Sequence, residues 1–534
     1  SGTIENLRKQ TQSRLRNDLN RHGNIVWTGL EHLSLNTTMN RLQDLSLEQG
    51  SRIRYFTVCL KNPTRLENLI KWMQADKNKL SQLKIIVIDD ESDQGSINTL
   101  KSKELRSKIN GLLVNLVHGK QYNGKTFDGA PQAMNYIGYT ATPYANFLNE
   151  SHPKSLYPSS FIRTLQPSRE YFGAKQIFGT EVLEEKVELN IIRHLEAEDV
   201  NEFKHIHKGD SIELPQNAVN SLAWFLCASS AMRLIGYKKS ISMLVHTSQK
   251  QHHHSNVADA IENWLNQSDK DSILAKCKEV WGRETKQFNL DSLKNQFPEY
   301  PDLDSIRDYP SFSEIKAGIL TLINQLTHIQ LGEDNQPTYH SGIHLCIDNC
   351  SNNGINEENM VVRLAYPDPT MPDYPSPAPV FIVVGGSTLS RGLTIEGLVS
   401  TLFLRASNQA DTLMQMGRWF GYRKTYELYP RIWMTESTQD KFKFLAQMEQ
   451  ELRDDLRRYM DAGADPSEYG PRILASPKVS WMRATAANRM QNAVPAQMDF
   501  SGTNAQTVVF SEKREILEHN INVTNEFLKS LGEG

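Results

Sequence analysis

The stretch FIVVGGSTLSRGLTIEGLVSTLFLRASNQADTLMQMGRWFGYRK, residues 381–424, decides the fold class. An apolar run at 381–384 breaks into a loop of glycines and hydroxyls, a second apolar run follows at 399–404, and a helix-length segment then ends in two arginines. The order is strand, loop, strand, helix. Gly385, Gly386, Gly392 and Gly397 let the loop backbone approach a ligand closely, and Ser387, Thr388, Ser390 and Thr394 supply hydroxyl donors. In the helical segment Asn408 reads as an N-cap with Asp411 three residues on. Leu413, Met416 and Phe420 recur on one face, and Gln415 and Arg418 share another. Gly421 suits the residue just past a helix end, so Arg423 projects off that terminus.

Upstream, short apolar runs alternate with polar helical ones. Residues 24–27, 53–60 and 85–88 read as strands with a helix at 65–76, a pattern that predicts a parallel sheet covered on both faces. The third strand runs into acid, KIIVIDDESD, with Asp89, Asp90, Glu91 and Asp93 at its carboxyl end. That is where a hydrated magnesium ion and an attacking water sit beside a nucleotide phosphate. About fifty residues on, NYIGYTATPYAN reads as a short strand delivering Thr140, Ala141 and Thr142. The opening SGT precedes an amphipathic helix with Thr3 as N-cap and Ile4, Leu7, Leu15 and Leu19 on its apolar face.

Composition narrows the class. A chain of 534 residues exceeds one hydrophobic core. No run approaches eighteen apolar residues and no signal peptide opens the chain, which predicts a cytoplasmic protein without membrane partners. Five scattered cysteines exclude a disulfide framework, and Cys346 and Cys350, the one close pair, read as buried thiols. A net charge of −3 excludes a globally basic nucleic-acid coat, so any such contact must come from a local groove.

In their order, these segments resemble the motifs of superfamily-two helicases. KIIVIDDESD resembles the DExD motif, TAT the third motif, GGSTLSRGLTIEG the fifth, QMGRWFGYR the sixth, and the opening SGT the backbone-contacting motif Ia. The wording resembles most closely the restriction-linked helicases that carry a Z1 domain. The resemblance implies an α/β fold of two RecA-like parallel-sheet domains with ATP and Mg2+ between them and double-stranded DNA as substrate. It also implies methyltransferase, nuclease or MORC-type ATPase partners. By it, Asp90 would hold magnesium through water and Glu91 would position the water. Gln415 and Gly392 would join the nucleotide site, and Arg418 or Arg423 would reach the γ-phosphate. Ser1, Gly2, Thr3, Thr140, Thr142, Ser387, Thr388, Arg391 and Thr394 would line the nucleic-acid groove.

The domains expected are an incomplete first RecA-like unit at 1–150, a connecting region at 151–217, a second unit at 218–436 with a helical insertion at about 249–336, and a helical extension at 437–534. Strands are expected at 241–245, 343–347, 361–366 and 431–434, and a long helix with Leu445, Met448, Leu452, Leu456 and Tyr459 on one side. The last seventy residues read as irregular. One departure from the helicase pattern stands out: no GxxxxGK[ST] phosphate loop occurs, so the chain reads as the part of a longer protein downstream of that loop.

Two other classes of function are weighed. A metal-dependent endonuclease would use Asp302, Glu314 and Lys316, which fit the written PD-(D/E)xK pattern, although 312–326 reads as a helix where those nucleases have a strand. A helicase-like module without turnover would keep the fold alone. His252, His253 and His254 read as a polar loop, and Arg453, Arg457 and Arg458 as a solvated helix face.

Overall fold

The computed structural model describes residues 5–21, 23–36, 40–48, 50–100, 105–149, 154–179, 188–248, 250–332, 337–348, 364–368, 374–386, 395–405, 410–417, 421, 424–463, 466 and 513–532. The chain divides into two compact units, 1–492 and 493–534.

The first unit begins with α1 (Glu5–Leu19), β1 (Val26–Leu30), β2 (Ile53–Thr57), α2 (Pro63–Met73), α3 (Lys77–Leu80), β3 (Lys84–Asp90), α4 (Lys108–Val117), β4 (Ala133–Tyr139) and α5 (Tyr144–Leu148). Asn62 starts α2 by accepting the amides of Thr64 at 3.0 Å and Arg65 at 3.4 Å, with Pro63 in the first turn. The strands pair in parallel as β1–β2 and β3–β4. Leu66, Ile70, Leu112 and Leu116 of α2 and α4 form one core with Ile85, Val87 and Met134 on one face of β3–β4. Its other face is open: Ile86 and Ile88 are 64% and 62% exposed and Tyr139 is exposed beside them. The expected coverage on both faces is therefore not met, because the described helices of this half stack on the first face. The helix at the start also differs from expectation. Among its described side chains Arg8 and Gln12 are buried, Gln12 donating to Glu31 at 3.2 Å, while Leu15 is exposed; Ile4 and Leu7 lie outside the described side chains.

The rest of this unit contains α6 (Ala174–Phe178), β5 (Ile192–His194), α7 (Ala197–Lys208), α8 (Gln216–Leu234), β6 (Ile241–His246), α9 (Gln251–Gln267), α10 (Lys270–Gln287), α11 (Leu290–Gln296), α12 (Phe312–Ile323), β7 (Leu326–His328), β8 (Gln330–Leu331), β9 (Pro337–Thr338), β10 (Ile343–Asp348), β11 (Val380–Gly385), β12 (Leu398–Phe403), α13 (Ala410–Met416), β13 (Arg431–Met434) and α14 (Glu436–Asp461). Seven strands form one parallel sheet in the order β5-β13-β12-β6-β11-β10-β7. Every residue of β6, β11 and β12 is buried, as suits predominantly apolar central parallel strands. Leu398 to Ser400 carries a register shift against β6. Gly397 precedes it with φ +54°, where a Cβ would fall 2.2 Å from the Ser240 carbonyl oxygen.

One face of the sheet is sealed by α8, a helix buried along most of its length, with α9, α10 and α12 around it. On the other face Phe381, Val383 and Leu398 meet Tyr339, Leu364 and Tyr366, and Phe403 meets Phe442 of α14 at 5.6 Å. The region expected as a helical insertion is thus a layer of the fold, since Cys277, Val280, Trp281, Ile315 and Ile319 all sit in the α8 core. The expected connecting region supplies β5, the edge strand beside β13, and α7. Residues 364–366, expected to end a strand, form none, and 361–363 lie outside the described residues. The second unit contains α15 (Arg514–Gly532), a helix in a stretch that reads as irregular; Leu517, Ile521 and Leu528 recur along it at helical spacing.

Buried charge fixes the junction of β13, β5 and α10. Glu284 is fully buried and receives Arg193 Nε at 2.7 Å and Arg431 Nε at 3.1 Å, and the Arg431 guanidinium lies 4.4 Å above the Trp224 ring. Burial pushes the Glu284 carboxyl up, but the two arginines outweigh it and hold the group below its usual range. Its depressed pKa stabilises the fold above the unfolded carboxyl range, and that contribution is lost as pH falls through the folded value. Glu284→Ala should cost about 3–5 kcal/mol by leaving two buried guanidiniums without their anion, as read by urea unfolding at neutral pH. The gap between wild type and variant should narrow at pH values below the usual carboxylate range.

Candidate functional site

At the carboxyl end of β3, alternation of side chains sends neighbouring carboxylates to opposite faces. Asp89 points into the core and is 4% exposed. It pairs with Lys61 Nζ at 3.0 Å and accepts from Ser96 Oγ at 2.5 Å and Tyr136 OH at 2.7 Å. Burial, with Asp89 alongside, pushes the Tyr136 phenol far up and keeps it protonated as the donor. Asp90 faces the open side beside Tyr139, its register partner, and is exposed. It alone of the pair can meet a ligand from solution.

Glu91 follows with φ +53°, a left-handed conformation uncommon away from glycine. Lys61 holds this turn too, donating to the Glu91 carbonyl at 2.6 Å. Asp93 is 1% exposed and its donors include Thr140 Oγ1 at 2.9 Å, Thr142 Oγ1 at 3.2 Å and Gln415 Nε2 at 3.3 Å. The acidic turn, the TAT segment and α13 therefore converge on one carboxylate. Ser92 N–H donates to the Tyr139 carbonyl at 2.9 Å and Asn146 Nδ2 to Ser92 Oγ at 3.2 Å, which fixes the two loops against each other.

Of the residues expected from sequence, Asp90, Glu91, Thr140, Thr142 and Gln415 fall in this cluster. The two threonine hydroxyls donate to Asp93, so they serve as links, and in this arrangement their protons are not offered to nucleic acid. Asp89, Asp93, Lys61 and Tyr136 carry most of the geometry without having been assigned roles. Strand alternation in KIIVIDD already separates Asp89 from Asp90; the sequence holds no signal for Lys61. Ser1, Gly2, Thr3, Ser387, Thr388, Arg391, Gly392, Thr394, Arg418 and Arg423 lie outside the described residues, as does Asn408.

The glycine loop leaves the carboxyl end of the seven-stranded sheet. Thr247 N–H donates to the Gly385 carbonyl at 2.9 Å, and Gly386 passes so near α9 that a Cβ would lie 2.3 Å from the Ser248 carbonyl oxygen. The glycines were expected to let the loop approach a ligand; at Gly386 the close neighbour is instead the protein's own backbone. His252, His253 and His254, expected in a loop, form the first turn of α9. His253 stacks on His207 with centroids 4.4 Å apart, and His254 Nε2 donates to the Ser248 carbonyl, 2.9 Å away. Burial, with the neighbouring histidines, lowers His207 to about 4, leaving it neutral at pH 7.

The nuclease pattern does not assemble. Glu314 caps α12, its carboxylate accepting the Ser311 amide at 2.8 Å and hydroxyl at 2.7 Å, and Lys316 is on the same helix, not a strand. Among the described residues no group of three or more His, Cys, Asp or Glu could hold a metal ion, and Cys59, Cys227, Cys277 and Cys346 are free thiols. Arg453, Arg457 and Arg458 pair with Glu449, Asp454 and Asp455 of their own helix. Among the described residues no helix is long and apolar enough to cross a membrane.

Lys61 offers a direct check on the cluster. Lys61→Met should destabilise the fold by about 3–5 kcal/mol, because Asp89 stays buried without its cation. The double variant Lys61→Met/Asp89→Asn should recover much of that loss in urea unfolding; a purely additive pair would show that the two groups do not interact.

No curated protein matches the chain. Residues 218–480 match the Z1 domain, a span that runs from α8 through six strands of the seven-stranded sheet and past α14, and by this match the chain is consistent with a Z1-family protein.

Proposed function

We propose that the chain is the motor portion of an ATP-dependent DNA translocase or helicase linked to restriction or phage defence. The observation that carries this reading is the convergence on Asp93. The acidic segment, the TAT segment and the helix leading to Arg418 and Arg423 are distant in sequence, yet they meet through Thr140, Thr142 and Gln415. Such a contact lets a change at the acidic turn be felt at α13. The Z1 domain, a hint of a defence-associated family, supports the biological setting.

ATP with magnesium would supply the phosphoryl group when bound. Asp90 suits the cation: it is exposed at a strand end and forms no ion pair among the described residues, and magnesium is commonly held by one or two carboxylates and its own waters. Asp89 does not suit it, being committed to Lys61, Ser96 and Tyr136. Glu91, set at the turn by Lys61, would orient a water, and Arg418 or Arg423 would meet the charge that spreads over phosphate oxygens. Duplex DNA would lie along Ser1 to Thr3 and Ser387 to Thr394, contacted mainly at its phosphates.

Because the 534 residues contain no GxxxxGK[ST] segment, the purified chain should hydrolyse ATP negligibly. Its affinity for duplex DNA should fall steeply with salt and depend little on sequence, as fluorescence anisotropy between about 50 and 200 mM salt would read. When a phosphate-loop segment accompanies the chain, DNA-dependent ATPase should be abolished by Glu91→Gln. Arg423→Ala should lower turnover by at least about a hundredfold while changing nucleotide affinity less, since an arginine of this kind is worth about 10³ to 10⁵ in rate. ATPase indifferent to Glu91→Gln, or DNA cleavage with magnesium and no ATP, would overturn the motor reading in favour of a non-catalytic module or a nuclease.

A further inference from the structure

At the amino ends of β6, β12 and β13 a cleft of about 990 Å³ opens between the loops that feed these strands. None of its lining residues belongs to the Asp89–Asp93 cluster. Its volume lies at the upper end of the range for small-ligand sites.

The lining is graded in charge. The buried part carries Tyr300, Tyr429 and Glu427, with Glu396 half-buried nearby. Glu427 accepts from Tyr300 OH and from the Thr425 amide, each at 3.0 Å. Tyr237 and Tyr426 present rings 5.6 Å apart at 73°. The exposed part carries Lys238, Lys239 and Arg307, none of them in an ion pair among the described residues, whereas Lys424 is tied to Glu170 at 2.7 Å. A purely cationic ligand would suit the tyrosines and carboxylates, but three unpaired cations at the entrance would repel it.

The backbone around the cleft is unusual as well. Gly236, Asp302, Gly397 and Thr425 all line it with positive φ, at +86°, +58°, +54° and +80°. For a β-branched threonine this conformation is a genuine outlier, held here by the amide bond to Glu427. Strain of this kind persists where the surroundings impose it, and it concentrates at ligand sites.

We propose that this cleft binds a nucleotide unit, with an amino-bearing base among Tyr237, Tyr426 and the Glu396 and Glu427 carboxylates, and its phosphate at Lys238, Lys239 and Arg307. A base edge supplies N–H donors to acceptors inside, its ring supplies a π-face to tyrosine, and the phosphate neutralises the cations outside. The unit is either a free mononucleotide or the 5′-phosphorylated end of a single strand. The site is independent of the ATP reading above.

Isothermal titration of the full 534-residue chain in magnesium-free buffer tests it, with GMP, UMP, guanosine, inorganic phosphate and a 5′-phosphorylated octadeoxynucleotide as probes. GMP should bind, and more tightly than UMP, guanosine or phosphate. The double variant Lys238→Ala/Lys239→Ala, both exposed positions, should weaken GMP at least about tenfold. Tyr237→Ala should weaken it similarly while Tyr237→Phe should not, and Asp90→Asn should leave it unchanged. Competition between octamer and GMP would assign the strand end; binding of GMP without competition would assign the free nucleotide. The proposal fails if no probe binds at millimolar concentration, if UMP, guanosine or phosphate equals GMP, or if the lysine variant binds GMP normally. It also fails if Asp90→Asn abolishes binding, which would place the nucleotide at the acidic cluster instead.

Discussion

The burial of β6, β11 and β12 on both faces is the constraint from which most of the architecture follows. Parallel ladders leave no solvated face in a sheet of this kind, so each face must meet apolar surface. One face is met by α8, whose Trp224, Phe225, Leu226 and Met232 are all fully buried, and α8 in turn needs α10 and α12 to cover its far side. The polar helical stretch after β6 is drawn into the body of the protein for that reason. Its apolar minority, Val280, Trp281, Ile315 and Ile319, is what α8 requires.

The same burial sets the terms for charge. Arg431 begins β13 in a fully buried position and is tolerated because Glu284, Arg193 and the Trp224 ring surround it. In the first half of the chain Asp89 is handled alike, by Lys61 and two hydroxyls. Asp90, one residue on, meets the opposite condition on the open face. A strand therefore divides two adjacent, chemically identical carboxylates into a structural one and one available to a ligand. Asp93, satisfied by Thr140, Thr142 and Gln415, joins that strand end to α13.

Much of this was legible in advance. The runs of residues 241–245, 343–347, 381–384 and 431–434 each became a strand of the seven-stranded sheet, because a buried strand needs a short, predominantly apolar run such as each of them carries. Thr140 and Gln415 meet at Asp93, two residues past the Asp90–Glu91 pair for which the sequence implies the roles. Edge elements were less legible. β5 has three residues and its strand character comes from pairing with β13. In α1, Arg8 and Gln12 are buried and Gln12 bonds to Glu31 while Leu15 is exposed, an arrangement that no periodicity records.

By itself the sequence determined the α/β class, the central strands and the position of the acidic turn, since each rests on local periodicity. Only the tertiary structure decided which carboxylate is spent. It brought Lys61 to Asp89 across 28 positions of chain, set Gln415 against Asp93 across 322, and left Ile86 and Ile88 facing outward. It also gathered four left-handed residues from distant loops around one cleft. These are pairings between segments remote in sequence, fixed by which surfaces must be buried together, and no local pattern encodes them.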